Sequence, residues 1–467
     1  MIKRLLFASA VWGALFGIAV AEEDAPDSTD VFETKHYTVL ELPQKVWNAL
    51  IYPLGEFTIY AEHSELPQRV RNWFTNEDRT FGLFPYGQLG GETGTGIGFN
   101  TFHTNLFGRE KEFSASYIFA APERQTGQVL YCDPNVKGSS FYWSAQADFL
   151  KTDSEDATVN GIYEGSEGAL VGAGLAEEDW LHEIQRFDGM VTVGWRPNAH
   201  ELEDYRQNVY LEGRLGFGRE ELRGGRGAES SFLVPGQSGR VSLVPGLREE
   251  ISYVSVGGRV AYDDRDYKEP ARELSHPLNY QFPGRVLLLA DDRYYSFRDI
   301  AYAERGGLLQ AEMDLVTGSR DVSFLRIGVE AQRFFRLFWR NRILALRARL
   351  DKAHRLGDEG IVPYADMPTL GGGQRLRGYK RGRFRGEGAL LLSAEYRYPI
   401  WDTWNAYLFW DEGQVFDEFD QVKTGEFRSS FGAGISMRTE KAFMIGLRVG
   451  HSEEEKALIG FSLEQEF

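Results

Sequence analysis

The chain has 467 residues, a formal net charge of -17, 32 Phe, 22 Tyr, 10 Trp, 52 Gly, 6 Met and a single cysteine, Cys132, and its mean hydropathy is -0.38. An acidic chain is a poor match for a phosphate backbone, which is bound by clustered Lys and Arg, so a nucleic-acid partner is not expected. One cysteine rules out an internal disulfide framework, and many glycines and aromatics without continuous hydrophobicity suit strands that are apolar on one face only, in a membrane barrel or in a large soluble β-sandwich.

The first 21 residues read as a secretory signal peptide: Lys3 and Arg4, an apolar run from Leu5 to Val20, and the small-residue site Ala19-Val20-Ala21, followed at once by Glu22, Glu23 and Asp24. No cysteine follows that site, so a lipid-anchored form is not indicated. Beyond Val20 no stretch approaches the roughly 18–20 apolar residues of a spanning helix. A membrane protein of this composition must therefore be a closed barrel, since only helices and barrels satisfy the backbone in lipid.

Residues 22–80 are expected to form a periplasmic N-terminal segment, acidic at first and then partly helical. Pro43 and Pro67 sit where helices begin, and Val46, Trp47, Leu50 and Ile51 recur at helical spacing, as do Val70, Trp73 and Phe74. Two readings stay open: a cap or plug on a barrel mouth, or an amphipathic helix on the inner leaflet.

From Phe81 to Phe467 the period changes to two. Phe141, Trp143, Ala145 and Phe149 oppose Tyr142, Ser144, Gln146 and Asp148; Leu309, Ala311, Met313 and Leu315 oppose Gln310, Glu312 and Asp314. Leu325, Ile327, Val329 and Ala331 oppose Arg326, Gly328, Glu330 and Gln332, and the pattern continues through 388–400, 429–438, 442–450 and 458–467. A soluble sandwich would alternate too. Charged residues deep inside strands, and aromatics at strand ends (Tyr396, Tyr398, Trp401, Trp404), favour a solvated lumen and a membrane girdle. The expected fold is all-β: an antiparallel transmembrane β-barrel of about 16 strands over residues 81–467, preceded by the short helical segment. The stretches 152–183, 217–250 and 267–302 are ambiguous, the last resembling an irregular insertion. Short turns after Ile400 and Arg438, and longer connections after Gly413 and around Tyr364 to Arg385, fit short periplasmic turns and long outer loops.

No enzyme motif stands out. There is no Gly-x-Ser-x-Gly elbow, phosphate loop or His-Glu-x-x-His site, and Gly94-Thr95-Gly96-Ile97-Gly98 lies in an alternating strand with no following helix. The eight histidines have no ligand spacing. No cofactor or metal is expected; Glu177-Glu178-Asp179 and Glu453-Glu454-Glu455 read as solvated turns, with calcium or lipopolysaccharide-bridging ions the lesser reading.

One segment resembles a known family. Leu376-Arg377-Gly378-Tyr379, within Leu370 to Tyr379, is similar to the hydrophobic-Arg-Gly-aromatic motif of the BamA/TamA (bacterial surface antigen) superfamily of outer-membrane assembly and translocation barrels. Glu395-Tyr396-Arg397-Tyr398-Pro399, Phe409-Trp410-Asp411-Glu412-Gly413 and Tyr262-Asp263-Asp264-Arg265-Asp266 resemble further family signatures. The resemblance implies that Arg377 anchors a long extracellular loop tucked into the barrel, with Glu395 and Asp411 as lumen partners. Alternation independently puts both carboxylates on the lumen face, where a guanidinium can bridge them. The family's POTRA order, β-α-α-β-β, is not visible in residues 22–80, so the chain resembles a short member lacking these domains. Pro85 in the first strand lacks a ladder donor. It either weakens a lateral seam against the last strand, which ends in Phe467, or marks only where the first strand begins.

The implied function is insertion or export of proteins or lipids through a loop-plugged barrel of the cell outer membrane. Partners would be outer-membrane lipids and lipopolysaccharide, with unfolded outer-membrane proteins or periplasmic carriers as candidate clients. The competing reading is a passive channel or structural barrel.

Overall fold

The computed structural model describes residues 73–462, except 89–94, 122–123, 134–135, 158–179, 196–207, 225–249, 266–302, 338–341, 401–403, 439–443 and the single positions 79, 110, 358, 374 and 455. The expected signal peptide, most of the helical segment and Phe467 lie outside these residues. Trp73 and Phe74 are helical. No helix among the described residues is long and apolar enough to cross a membrane.

Among the described residues, sixteen strands form one antiparallel sheet in sequence order. They are β1 (Phe81–Gln88), β2 (Thr95–Leu106), β3 (Lys111–Ala121), β4 (Arg124–Asp133), β5 (Phe141–Ala157), β6 (Trp180–Trp195), β7 (Asn208–Gly224) and β8 (Glu250–Asp263). They continue with β9 (Gly306–Gly318), β10 (Ser323–Arg336), β11 (Ile343–Arg355), β14 (Gly388–Pro399), β15 (Trp404–Phe416), β16 (Arg428–Arg438), β17 (Met444–Ser452) and β18 (Leu458–Ser462). Between β11 and β14 the chain forms a separate two-residue hairpin, β12 (Thr369–Leu370) and β13 (Phe384–Arg385). The ambiguous residues 217–224 belong to β7, and Gly96 to Gly98 lie inside β2.

The two faces are inverted relative to a soluble protein. Outward residues such as Val191, Val193, Leu215, Phe217, Val254, Val256, Leu309 and Met313 are exposed, while inward Arg214, Glu312, Asp314, Arg326, Glu330 and Arg349 are buried. Such a strand leaves its apolar face for lipid and turns its charges to the lumen, as in an outer-membrane barrel. These charges pair across the inner wall, between neighbouring strands (Arg259 with Glu212 at 2.9 Å, Arg349 with Glu330 at 2.8 Å) and across an intervening strand (Arg214 of β7 with Asp314 of β9 at 3.0 Å). Buried ions persist only when paired and hydrogen-bonded, so this lattice also sets the strand register.

An even strand number brings the start of β1 and the end of β18 to one end of the sheet. The connections after Leu106, Pro399 and Arg438 turn at that end and are short. The 196–207 and 264–305 connections join strands at that end as well, so the expected rhythm of short turns at one end is not kept throughout. The flanks of the 264–305 connection are held to the inner wall. Asp264 accepts from the Gly307 amide at 2.6 Å, and Ala303 packs against Phe334, Ile343 and Ala345.

Candidate functional site

The connection between β11 and β14, residues 356–387, emerges at the other end and turns back against the inner wall. Its side chains are not those of a solvated loop: Val362, Tyr364, Asp366, Met367, Leu370, Arg375, Leu376, Arg377, Tyr379 and Phe384 are all buried. Val362 and Met367 join a cluster with Ile251, Tyr253, Val316, Phe324 and Ala353 on β8 to β11. Leu370, Leu376, Tyr379 and Phe384 pack on Ala389 and Leu391 of β14. The lumen face at these strands is therefore partly apolar because the loop covers it.

The motif residues 376–379 come together on β14 to β17. The Arg377 guanidinium donates from Nε to Asp411 Oδ2 at 2.9 Å and from Nη2 to Oδ1 at 2.8 Å, and its own amide donates to Oδ2 at 2.9 Å. Nη1 pairs with Glu395, whose other oxygen accepts from Arg397 Nε at 2.6 Å. The guanidinium also lies 4.1 Å from the Phe409 ring centroid. This fork geometry is particular to arginine; a lysine ammonium cannot satisfy two oxygens of one carboxylate and a second carboxylate in one plane. Burial opposes the charge, but Asp411 and Glu395 outweigh it and hold Arg377 above its ordinary pKa.

The neighbours of Arg377 explain the rest of the motif. Leu376 takes φ 69°, which turns the chain so that its side chain enters the apolar cluster and Arg377 the acidic one. Gly378 lies flat on the wall, where an added Cβ would stand 2.5 Å from Ser430 Cβ and 2.7 Å from the His451 carbonyl oxygen. Gly450 on β17 gives the matching clearance, since a Cβ there would meet the Arg377 carbonyl oxygen at 2.6 Å. Tyr379 donates to the Ser429 carbonyl at 3.3 Å and meets Phe384 edge-on at 5.0 Å. Burial, then the Glu453 and Glu454 carboxylates, raise its phenol pKa, so it remains a neutral donor.

Among the other singled-out residues, Pro85 is exposed in the interior of β1, opposite Phe99. The strand already runs from Phe81, so Pro85 does not mark its start. In the Tyr262 to Asp266 segment, Arg265 pairs with Asp263 at 3.0 Å and donates to Gln332 at 2.9 Å. Cys132 is buried and forms no disulfide. Among the described residues no group of His, Cys, Asp and Glu is arranged to hold a metal ion.

Sequence reasoning missed two further loop contacts. Arg375 faces Asp351 of β11 at 3.4 Å. Asp366, in a one-turn 3-10 helix (Tyr364–Asp366), meets Arg186 of β6 and Arg326 of β10. The alternation of β10 already put Arg326 in the lumen, but nothing in the unpatterned loop marked Asp366 as its partner.

Comparison with known proteins agrees with this architecture. The Omp85 superfamily domain matches residues 105–444. Among solved structures, BamA from Haemophilus ducreyi lacking POTRA domains 1-3 superposes with a TM-score of 0.51 at 11% identity, covering 82% of this chain and 69% of that one. CdiB from Escherichia coli gives 0.49 at 12% identity over 82% and 61%, and CdiB from Acinetobacter baumannii gives 0.48 at 11% over 82% and 59%. The chain thus spans about three fifths of the CdiB chains. No curated protein matches in sequence. With a family match over well above half its length, and a sixteen-stranded sheet whose apolar side faces outward, this chain is an outer-membrane β-barrel that belongs to the Omp85 superfamily.

Proposed function

We propose that the barrel aids the insertion or export of proteins or lipids at the outer membrane, with loop 356–387 as its plug and the β1–β18 boundary as its lateral seam. The observation that carries this reading is the Arg377 fork. A guanidinium held by Asp411 and Glu395 keeps a large loop inside the lumen, which an open diffusion pore has no use for. The seam has separate support: β1 and β18 are the two ends of the strand order, with no ladder between their described residues. Pro85 also removes one backbone donor from β1. The outward apolar face meets outer-membrane lipid and lipopolysaccharide, and unfolded outer-membrane proteins or periplasmic carriers are the candidate clients.

Two measurements test the proposal. Depleting the protein in cells should alter the outer-membrane proteome or its lipid asymmetry; an unchanged envelope would defeat the assembly reading. In planar bilayers the full chain should be mostly closed and a chain lacking the loop open. A steady, large conductance that is indifferent to the loop would instead favour a passive channel.

A further inference from the structure

We propose that loop 356–387 is a strap fastened at two places on the inner wall, with Asp366, held by β6 and β10, as a second latch beside the Arg377 latch on β14 and β15. This rests on the reading of the loop as a plug and adds how the plug is released. Asp366 is fully buried, and its Oδ1 accepts from both Arg186 Nη2 and Arg326 Nη2, each at 2.8 Å. Arg186 reaches the same turn again through the Ala365 carbonyl at 3.4 Å. It is itself held in place by Asp188 at 2.9 Å and Glu220 at 3.1 Å. A loop carboxylate between two guanidinium groups is the inverse of Arg377, a loop guanidinium between two wall carboxylates.

The latches engage different strands. Asp366 is held from the sixth and tenth strands of the order and Arg377 from the twelfth and thirteenth of sixteen. The β12–β13 hairpin encloses Arg377 and ties it to the Asp366 turn: Arg385 of the hairpin donates to the Tyr364 carbonyl at 2.6 Å with its guanidinium 4.3 Å from the Tyr364 ring centroid. Breaking one latch therefore leaves the strap tied by the other, with Arg375 on Asp351 as a lesser contact between them. The lumen opens fully only when both are broken, and each latch uses charge of opposite sign, so no single charged client displaces both by competition.

The test is conductance of the purified full chain in planar bilayers, comparing Asp366→Asn, Arg377→Gln, the double variant and a chain lacking the loop. Each single variant should raise open probability by no more than about tenfold, and the double by about a hundredfold or more, close to the loop-less chain. Limited trypsin digestion of the reconstituted barrel should cut the loop after Lys380 only in the double variant. If Arg377→Gln alone matches the loop-less chain and Asp366→Asn changes nothing, the second latch is overturned while the plug stands. If the loop-less chain conducts no better than the parent, the plug reading itself falls. Should Asp366→Asn not fold, Arg326→Gln removes one of the two guanidinium partners and should move open probability the same way by a smaller factor; no change there would also overturn the latch.

Discussion

The wall from β6 to β17 and the wall from β1 to β5 are built differently, although both alternate with the same period. The first is fastened to the loop: Arg186 on β6, Arg326 on β10, Asp351 on β11, Glu395 on β14, Asp411 on β15 and Ser429 on β16 all bond it directly. The inner face of the first five strands mixes buried Phe102, Leu130 and Cys132 with Glu112, Asp133 and Ser144. Cross-strand polar contacts there include Tyr117 to Gln125 and Gln128 to Asp148, each at 2.8 Å. A strand held by its ladder alone opens at lower cost than one also stapled to a buried loop. The loop contacts add rigidity to the strands that carry them, β6, β10, β11 and β14 to β16.

Substitutions on the two sides test that contrast. The largest effect is expected at Arg377: Arg377→Ala leaves Asp411 and Glu395 buried and unpaired, which costs about 3–5 kcal/mol, seen as earlier unfolding in urea from detergent micelles. Gly378→Ala comes next. Its methyl group would press on Ser430 and the His451 carbonyl, an overpacking worth about 1–3 kcal/mol, and trypsin sensitivity of the loop should rise with it. Asp148→Asn, on β5, exchanges a hydrogen-bonding carboxylate for an amide and should cost under about 1 kcal/mol with no change in loop protection. Smallest is Pro85→Ala, which restores a backbone donor to β1. Stability should move by less than about 1 kcal/mol, yet turnover of any client that uses the seam should fall, measured in reconstituted liposomes. A loop made protease-sensitive by Asp148→Asn would erase the distinction between the two walls.

The strand faces and the Arg377 site were legible in the sequence. The two-residue rhythm is a direct consequence of strand geometry with lipid on one side and polar lumen on the other, so Leu309 to Leu315 and Leu325 to Gln332 disclosed their faces without any fold. The Arg377 site was legible because the resemblance names its motif and alternation independently turns Glu395 and Asp411 inward. Asp366 was not, because a loop has no period from which to infer direction, and its partners Arg186 and Arg326 are remote in sequence. Ala389, Leu391, Val316 and Phe324 break the expected polar lumen for the same reason: they are apolar to receive the loop. The position of the 264–305 connection at the short-turn end follows only from the complete strand order.

The most direct test is a double-mutant cycle between Arg377 and Asp411, using Arg377→Ala, Asp411→Ala and the pair, read by urea unfolding of the full chain in micelles. A buried pair that fastens the loop should give a coupling of about 2 kcal/mol or more. Costs that simply add, to within about 0.5 kcal/mol, would mean that the guanidinium and carboxylate do not hold the loop together in the folded barrel.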